Sequence, residues 1–183
     1  SAWQTADFAA KLPPEKGVLF YFIQHYESLW TRHKSQAKKT YDLPCRKLVV
    51  SNWIKNNLVE KHGQNSEVLV NPVDRDIFFC DEKKWNSTRR VCMLHHDYDW
   101  KGYAEGIEAI RGVVAQGRDL QLVVFGEKLK DPQSLFDAAG FYFEYHYRPT
   151  RERLRKIYTS CDIFLCPSWY EGLGLTAMEA MAC

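Results

Sequence analysis

No stretch of these 183 residues approaches the roughly 18 consecutive apolar residues that cross a bilayer as a helix. The longest apolar run, Val18 to Ile23, has the length of a strand. No charge of one sign dominates either. The 25 Lys and Arg stand against 23 Asp and Glu, a formal net charge of +2, so no nucleic-acid surface is announced. Basic residues cluster only at Lys34 to Lys39 and at Arg148 to Lys156. Both runs read as solvated helix faces, with peripheral contact to a membrane surface or an acidic substrate left open. The six cysteines (Cys45, Cys80, Cys92, Cys161, Cys166, Cys183) contain no C-x-x-C pair, and several sit inside apolar runs. That spacing favours free buried thiols in a reducing, cytoplasmic compartment over a disulfide framework or a zinc site. Ser1 opens into amphipathic sequence without the regions of a signal peptide, and the missing initiator Met suggests an excised piece of a longer protein. Internal repeats and low-complexity segments are absent.

What is present is enough to build a core: 45% of residues are hydrophobic and 14% aromatic. Strand and helix patterns alternate, which predicts an α/β fold with a mostly parallel sheet. In the first part, Trp3 to Leu12 reads as a helix, Val18 to Ile23 as a buried strand and Tyr26 to Lys39 as a helix. Lys47 to Val50 reads as a strand, followed by a helix capped by Ser51 or Asn52, with Ile54, Leu58 and Lys61 on one face and Gly63 as its stop. Val68 to Val70 is a third strand. Residues 73–89 are charged and without period, as a linker is. A second α/β unit then starts with the strand Val91 to Leu94. Its helix carries Tyr103, Ile107, Ile110 and Val114 and ends at Gly117. The strands Leu122 to Phe125 and Phe141 to Tyr147 follow, then a helix capped by Thr150 with Leu154, Ile157 and Tyr158 on one face. The expected organisation is 1–72, 73–89 and 90–183, with the last unit incomplete as a doubly wound sheet.

The chemistry concentrates at the end of the chain. Ile163 to Cys166 reads as a buried strand; the loop Pro167 to Gly174 and a helix-forming run follow. A strand, a glycine loop and a helix start together make an anion site, because unpaired N–H groups and the helix dipole favour negative charge there. Two glutamates, Glu171 and Glu179, bracket it. Carboxylates do not grip phosphate, so hydroxyls or cations are their expected partners. Such a site suits a nucleotide or a nucleotide-sugar.

The segment Glu171-Gly172-Leu173-Gly174-Leu175-Thr176-Ala177-Met178-Glu179-Ala180-Met181-Ala182 resembles the signature of retaining GT-B glycosyltransferases of the group 1, or family 4, type. That signature sets two glutamates with seven residues between them. Leu173 and Thr176 stand where the family typically has Phe and Pro. The resemblance implies that Glu171 faces the donor sugar, that backbone N–H groups of Gly172, Leu173, Gly174, Leu175 and Thr176 hold the diphosphate, and that Glu179 accepts hydrogen bonds from the ribose. It assigns Lys101, in Trp100-Lys101-Gly102, to the diphosphate as well. Where the family carries an arginine shortly before this lysine, His95 and His96 stand here. Tyr147 and Arg148 fall in the loop that borders the nucleobase in the family. Val50 to Trp53, Val70 to Phe78 and Tyr21 to Glu27 also resemble family segments, the last one those of rhamnosyltransferase-type members.

The fold implied is a Rossmann-like parallel sheet of GT-B type, incomplete, comprising the end of an acceptor-side domain and most of a donor-binding domain. The implied activity is transfer of a sugar from a nucleoside diphosphate to the hydroxyl of a carbohydrate or glycolipid acceptor, with retention. Neither metal nor cofactor is expected, because basic side chains neutralise the leaving diphosphate. His95-His96-Asp97-Tyr98-Asp99 is a poor metal cluster, since adjacent histidines diverge and no third ligand is suitably spaced. The fragment alone is expected to be inactive. The alternative is a non-catalytic module that binds the nucleotide without transferring its sugar.

Overall fold

Parallel pairing organises the chain throughout. The computed structural model describes residues 3–80, 82, 84–127, 132–141 and 143–183. It divides into two units, residues 1–72 with Glu171–Gly174, and residues 73–170 with 175–183.

The first unit holds helix α1 (Trp3–Ala9), strand β1 (Phe20–Ile23), helix α2 (Lys34–Tyr41), strand β2 (Arg46–Val49), helix α3 (Asn52–His62) and the two-residue strand β3 (Glu67–Val68). Its sheet has the order β1-β2-β3, all parallel. Tyr26 to Lys39, expected as one helix, is a single 3-10 turn at Glu27–Leu29 and then α2. Tertiary contacts override local preference there. Tyr26 leaves helical geometry and stacks on Tyr41 with ring centroids 5.1 Å apart, while the Glu27 carboxylate accepts from the Trp3 backbone N–H at 2.9 Å. Of the two residues proposed to cap α3 it is Ser51 that does so, accepting from the Ile54 N–H, and Gly63 ends the helix in the left-handed conformation at φ 63°. Ile54 and Leu58 are fully buried, whereas Lys61 lies outside the core with its ammonium over the Tyr26 ring. The third strand is shorter than expected, and Val68, Leu69 and Val70 are all exposed. Lys47 is buried inside β2, yet its ammonium donates to the Leu43 carbonyl at 2.9 Å and to Gln64 Oε1 at 3.0 Å. A charge can be buried when its hydrogen bonds are met in this way.

The second unit holds strand β4 (Arg89–His95), helix α4 (Tyr103–Ala115), strand β5 (Leu120–Gly126), helix α5 (Gln133–Ala139), strand β6 (Glu144–Tyr147), helix α6 (Arg151–Ser160), strand β7 (Ile163–Leu165) and helix α7 (Leu175–Ala182). Residues 73–89 carry no helix or strand before Arg89 among those described; Asp81 and Lys83 lie outside them. Phe78 from this segment is buried against Tyr158. The sheet order is β6-β5-β4-β7, all parallel. Successive residues of β4 and β5 serve opposite faces. Val91, Met93, Leu122 and Val124 pack with α4 and α5, while Cys92, Val123 and Phe125 pack with α6 and the end of α7. Burial on both faces explains why these strands read as continuous apolar runs.

Three expectations for this unit change. β6 begins at Glu144, later than the predicted Phe141, and Tyr142 lies outside the described residues. Helix α5 had no counterpart in the sequence reading. β7 is not a buried strand: it bonds only to β4, and Ile163 is 50% exposed on that open side. No disulfide joins any of the six cysteines, and only Cys92 and Cys161 are buried; Cys80 and Cys166 are exposed.

Candidate functional site

Because the second sheet is fully parallel, the C-terminal ends of its strands (His95, Gly126, Tyr147 and Leu165) share one edge. The chain runs outward through β4, β5 and β6, then returns to lay β7 on the far side of β4. The strand order therefore reverses between β4 and β7, the place where open α/β sheets receive ligands.

The two loops at that reversal are fastened together. The Trp169 N–H donates to the Trp100 carbonyl at 2.9 Å, and the rings of Trp100 and Tyr170 stack at 5.5 Å. Trp169 Nε1 donates to Glu105 at 3.0 Å, which ties the second loop to the first turn of α4. Gly102 stands at φ 67°, and a Cβ there would collide with the Pro167 carbonyl. Only glycine permits this approach. Lys101 lies on the single turn Asp99–Lys101 that precedes α4, with its Nζ 4.5 Å from the centre of the Trp100 ring.

Beside the ends of β4 and β5 is a cavity of about 440 Å³ lined by His95, His96, Gly126, Glu127, Arg148 and Thr176, with an apolar wall of Leu94, Phe125, Pro149 and Leu154. It brings together four of the residues singled out from sequence: His95, His96, Arg148 and Thr176. Lys101, Tyr147, Leu175 and Glu179 belong to the same unit but do not line this cavity. Glu171, Gly172, Leu173 and Gly174 group with the first unit, where Leu173 packs on its core and a Cβ at Gly172 would collide with the Gln24 carbonyl. Gly174 needs its positive φ of 77°.

His95 is 6% exposed, and its Nδ1 has no hydrogen-bond partner among the described residues. The Tyr103 ring meets it edge-on with centroids 4.7 Å apart, and Asp97 Oδ1 lies 4.0 Å from its Nε2. Burial pushes its pKa down, against the opposing pull of Asp97. The imidazole is therefore neutral at neutral pH and offers a hydrogen bond rather than a charge. His96 accepts from the Tyr98 N–H through Nδ1 at 3.2 Å and packs on the Tyr98 ring.

The positive charge of the cavity comes from Arg148, the one described non-glycine residue with positive φ, at 43°. Its N–H donates to the Gly126 carbonyl at 2.7 Å, and its guanidinium lies 6.0 Å from the Tyr147 ring centre. A non-glycine residue stays in this sparsely populated region only where the surrounding structure imposes it. Gly126 and Glu127, at the end of β5, were not singled out from sequence and are part of the cavity.

Glu179 is 9% exposed, so it is no surface residue. Burial raises its pKa, and the positive charge of Arg151 works against that rise. A buried carboxylate with spare acceptor capacity suits hydroxyl donors. Among the described residues no group of three or more His, Cys, Asp and Glu is placed to hold a metal ion, and no helix is long and apolar enough to cross a membrane.

Comparison with known proteins agrees with this arrangement. The chain is 35% identical over 85 residues to a D-inositol 3-phosphate glycosyltransferase of Mycobacteroides abscessus, covering 44% of this chain and 18% of the relative. Its fold superposes on Anabaena HepE in complex with UDP and glucose at a TM-score of 0.77, with 15% identity, covering 100% of this chain and 55% of that one. It also superposes on the catalytic domain of Arabidopsis thaliana starch synthase IV bound to ADP and acarbose, at a TM-score of 0.69 with 16% identity, covering 98% of this chain and 53% of that one. The fold is thus α/β with parallel sheets of the GT-B type, and the chain spans little more than half of these structures and less of the curated relative. Residues 74–183 match the model of the family described as Glycosyl transferases group 1, and the chain belongs to that family.

Proposed function

We propose that the second unit is the donor-binding part of a retaining, metal-independent glycosyltransferase of the family 4 type. The whole protein would move a sugar from a nucleoside diphosphate to a hydroxyl of a carbohydrate or glycolipid acceptor. The observation that carries this reading is the cavity at the parallel sheet's C-terminal edge, where neutral His95, cationic Arg148 and Thr176 of the first turn of α7 line one space. In this reading Arg148 and Lys101 neutralise the departing diphosphate, which is how a site without a metal stabilises that charge. The N–H groups at the start of α7, around Leu175 and Thr176, hold its oxygens. His95 donates a neutral hydrogen bond, and Glu127 and Glu179 accept from ribose hydroxyls or base N–H groups. Glu171, at the head of the signature, serves the anomeric centre as the sugar acquires positive charge. Residues 1–72 would be the end of the acceptor-side domain. The likeness of Tyr21 to Glu27 to rhamnosyltransferase-type segments makes a deoxyhexose donor the first to try.

The test is transfer by the full-length protein. Glu171→Gln and Lys101→Ala should each lower kcat far more than they lower nucleotide affinity. If both variants transfer sugar at the parent rate, Glu171 and Lys101 do not carry the reaction; if the full-length protein binds the nucleotide but transfers no sugar, the enzyme reading fails and a binding module remains.

A further inference from the structure

The two loops that meet at the strand-order reversal carry more aromatic surface than their fastening needs. Rings follow one another along this edge of the second unit. His96 lies against Tyr98 with centroids 4.4 Å apart. Tyr98 stacks on Trp100 at 5.7 Å and 22°, and Trp100 stacks on Tyr170 at 5.5 Å and 11°. Trp100 is buried, as a residue that only ties loops together should be. Tyr98 and Trp169 are not: they are 46% and 61% exposed. Trp169 is nevertheless held in place. Its backbone N–H is tied to the Trp100 carbonyl and its indole N–H to Glu105, so the ring is oriented while its surface stays in water. One exposed aromatic residue is ordinary. Two of them, on loops locked together at the edge where open α/β sheets receive ligands, call for a ligand.

The groups around these rings select its chemistry. Asp97, Asp99 and Glu105 stand exposed on the first loop and the first turn of α4. Their carboxylates only accept hydrogen bonds. The basic residue of the same loop, Lys101, is drawn over the Trp100 ring. Aromatic faces are electron-rich and favour positively polarised hydrogens. The matching ligand therefore presents polarised C–H bonds to a flat ring and hydroxyl donors at its rim, and bears no negative charge where it meets the carboxylates. A hexopyranose does both, with axial C–H bonds on its faces and hydroxyls around its girdle. The rings also lead to the cavity described above, because His96 lines that cavity and lies against Tyr98.

We infer that Tyr98 and Trp169 stack on hexopyranose rings, with Asp97, Asp99 and Glu105 accepting from the sugar hydroxyls. The inference rests on the donor-binding reading for what brings a sugar to this edge, whereas the ring contacts themselves need no nucleotide. The pyranose can belong to a free glycan or to the sugar of a nucleotide-sugar, and the test separates these sources.

The experiment is saturation-transfer NMR on the full-length protein, with aromatic protons irradiated and cellotetraose, UDP-glucose and UDP as probes. Every ring of cellotetraose carries axial C–H bonds on both faces. Saturation should reach the pyranose C–H protons, and more strongly on one ring face than on the other. A free glycan as the source gives this transfer to cellotetraose; a donor sugar as the source gives it to the glucose ring of UDP-glucose alone. Tyr98→Ala and Trp169→Ala should each weaken the responding sugar by about 2- to 10-fold, the worth of one aromatic contact, while Tyr98→Phe keeps it. The face selectivity is read on the unsubstituted protein, so a variant that folds poorly does not blunt the test. The inference is overturned if neither cellotetraose nor the glucose ring of UDP-glucose receives saturation, or if both alanine variants leave the transfer unchanged, whatever UDP does. UDP that fails to bind while cellotetraose responds through these two rings defeats the donor-binding reading and leaves the sugar contacts standing.

Discussion

Gly102→Ala should loosen the site at its strand-order reversal. Gly102 sits at φ 67°, where an L side chain costs about 1–2 kcal/mol. Its new methyl would also collide with the Pro167 carbonyl, and forcing an extra carbon into packed surroundings costs about 1–3 kcal/mol more. The total, about 2–5 kcal/mol, is a large part of the stability of an ordinary domain. With a urea slope of about 1–3 kcal/mol per M, the unfolding midpoint should fall by about 1–2 M. Tryptophan fluorescence suits the assay, because Trp100 and Trp169 lie on the two loops that would part. Gly112→Ala is the control. Gly112 lies within the same helix, α4, with nothing within 4 Å of an added Cβ. That substitution should stabilise by about 0.5–1 kcal/mol. If Gly102→Ala leaves the midpoint where it was, or if the two glycines respond alike, the reasoning about the close loop approach is wrong.

Three further outcomes follow from the site. Glu179→Gln removes a buried carboxylate whose pKa is raised by burial, so folding stability near neutral pH should hold or rise. The sign follows because a group with a raised folded pKa stabilises only below its unfolded value, and that benefit is gone at neutral pH. The same variant should weaken nucleoside-diphosphate binding by about 10- to 150-fold, the worth of one charge-assisted hydrogen bond, as read by calorimetry; unchanged affinity would remove Glu179 from the site. His95 has a lowered folded pKa, so its contribution to stability is intact above about pH 6.5 and is lost as pH falls below that value. His95→Gln should flatten the stability curve in that acid range, and superimposable curves would show that His95 is not held neutral. Arg148→Gly trades backbone strain at φ 43° against chain entropy, so stability should change by no more than about 1 kcal/mol while nucleotide affinity drops. A large loss of stability would make Arg148 a structural residue.

The second sheet was readable where burial is two-sided. Val91 to Leu94 and Leu122 to Phe125 are apolar on both faces, and no tertiary information is needed to see a strand there. The caps at Ser51 and Thr150 were equally legible, since each is a local hydrogen bond to the third residue on. Elements with one wet side were located but misjudged: β3 stops at Val68 and is exposed throughout, and β7 lies at a sheet edge instead of being buried. Helix α5 is seven residues long and has no side-chain cap, which leaves little periodic signal. Within the site, the signature glutamates and Arg148 were visible as residue types at suggestive places. The neutrality of His95 was not, because it depends on burial beside Tyr103. Nor was the burial of Glu179, which depends on the packing of α7 against α6.

The central claim is that the cavity holding His95, Arg148 and Thr176 binds a nucleoside diphosphate. Calorimetric titration of the intact chain with UDP, GDP and dTDP tests it most directly, with Arg148→Gly run in parallel. The account predicts that at least one of these binds at one per chain and that Arg148→Gly weakens it by about 10-fold or more, the loss of a hydrogen bond to a charged group. No binding of any of the three, or binding that Arg148→Gly leaves unchanged, would contradict it.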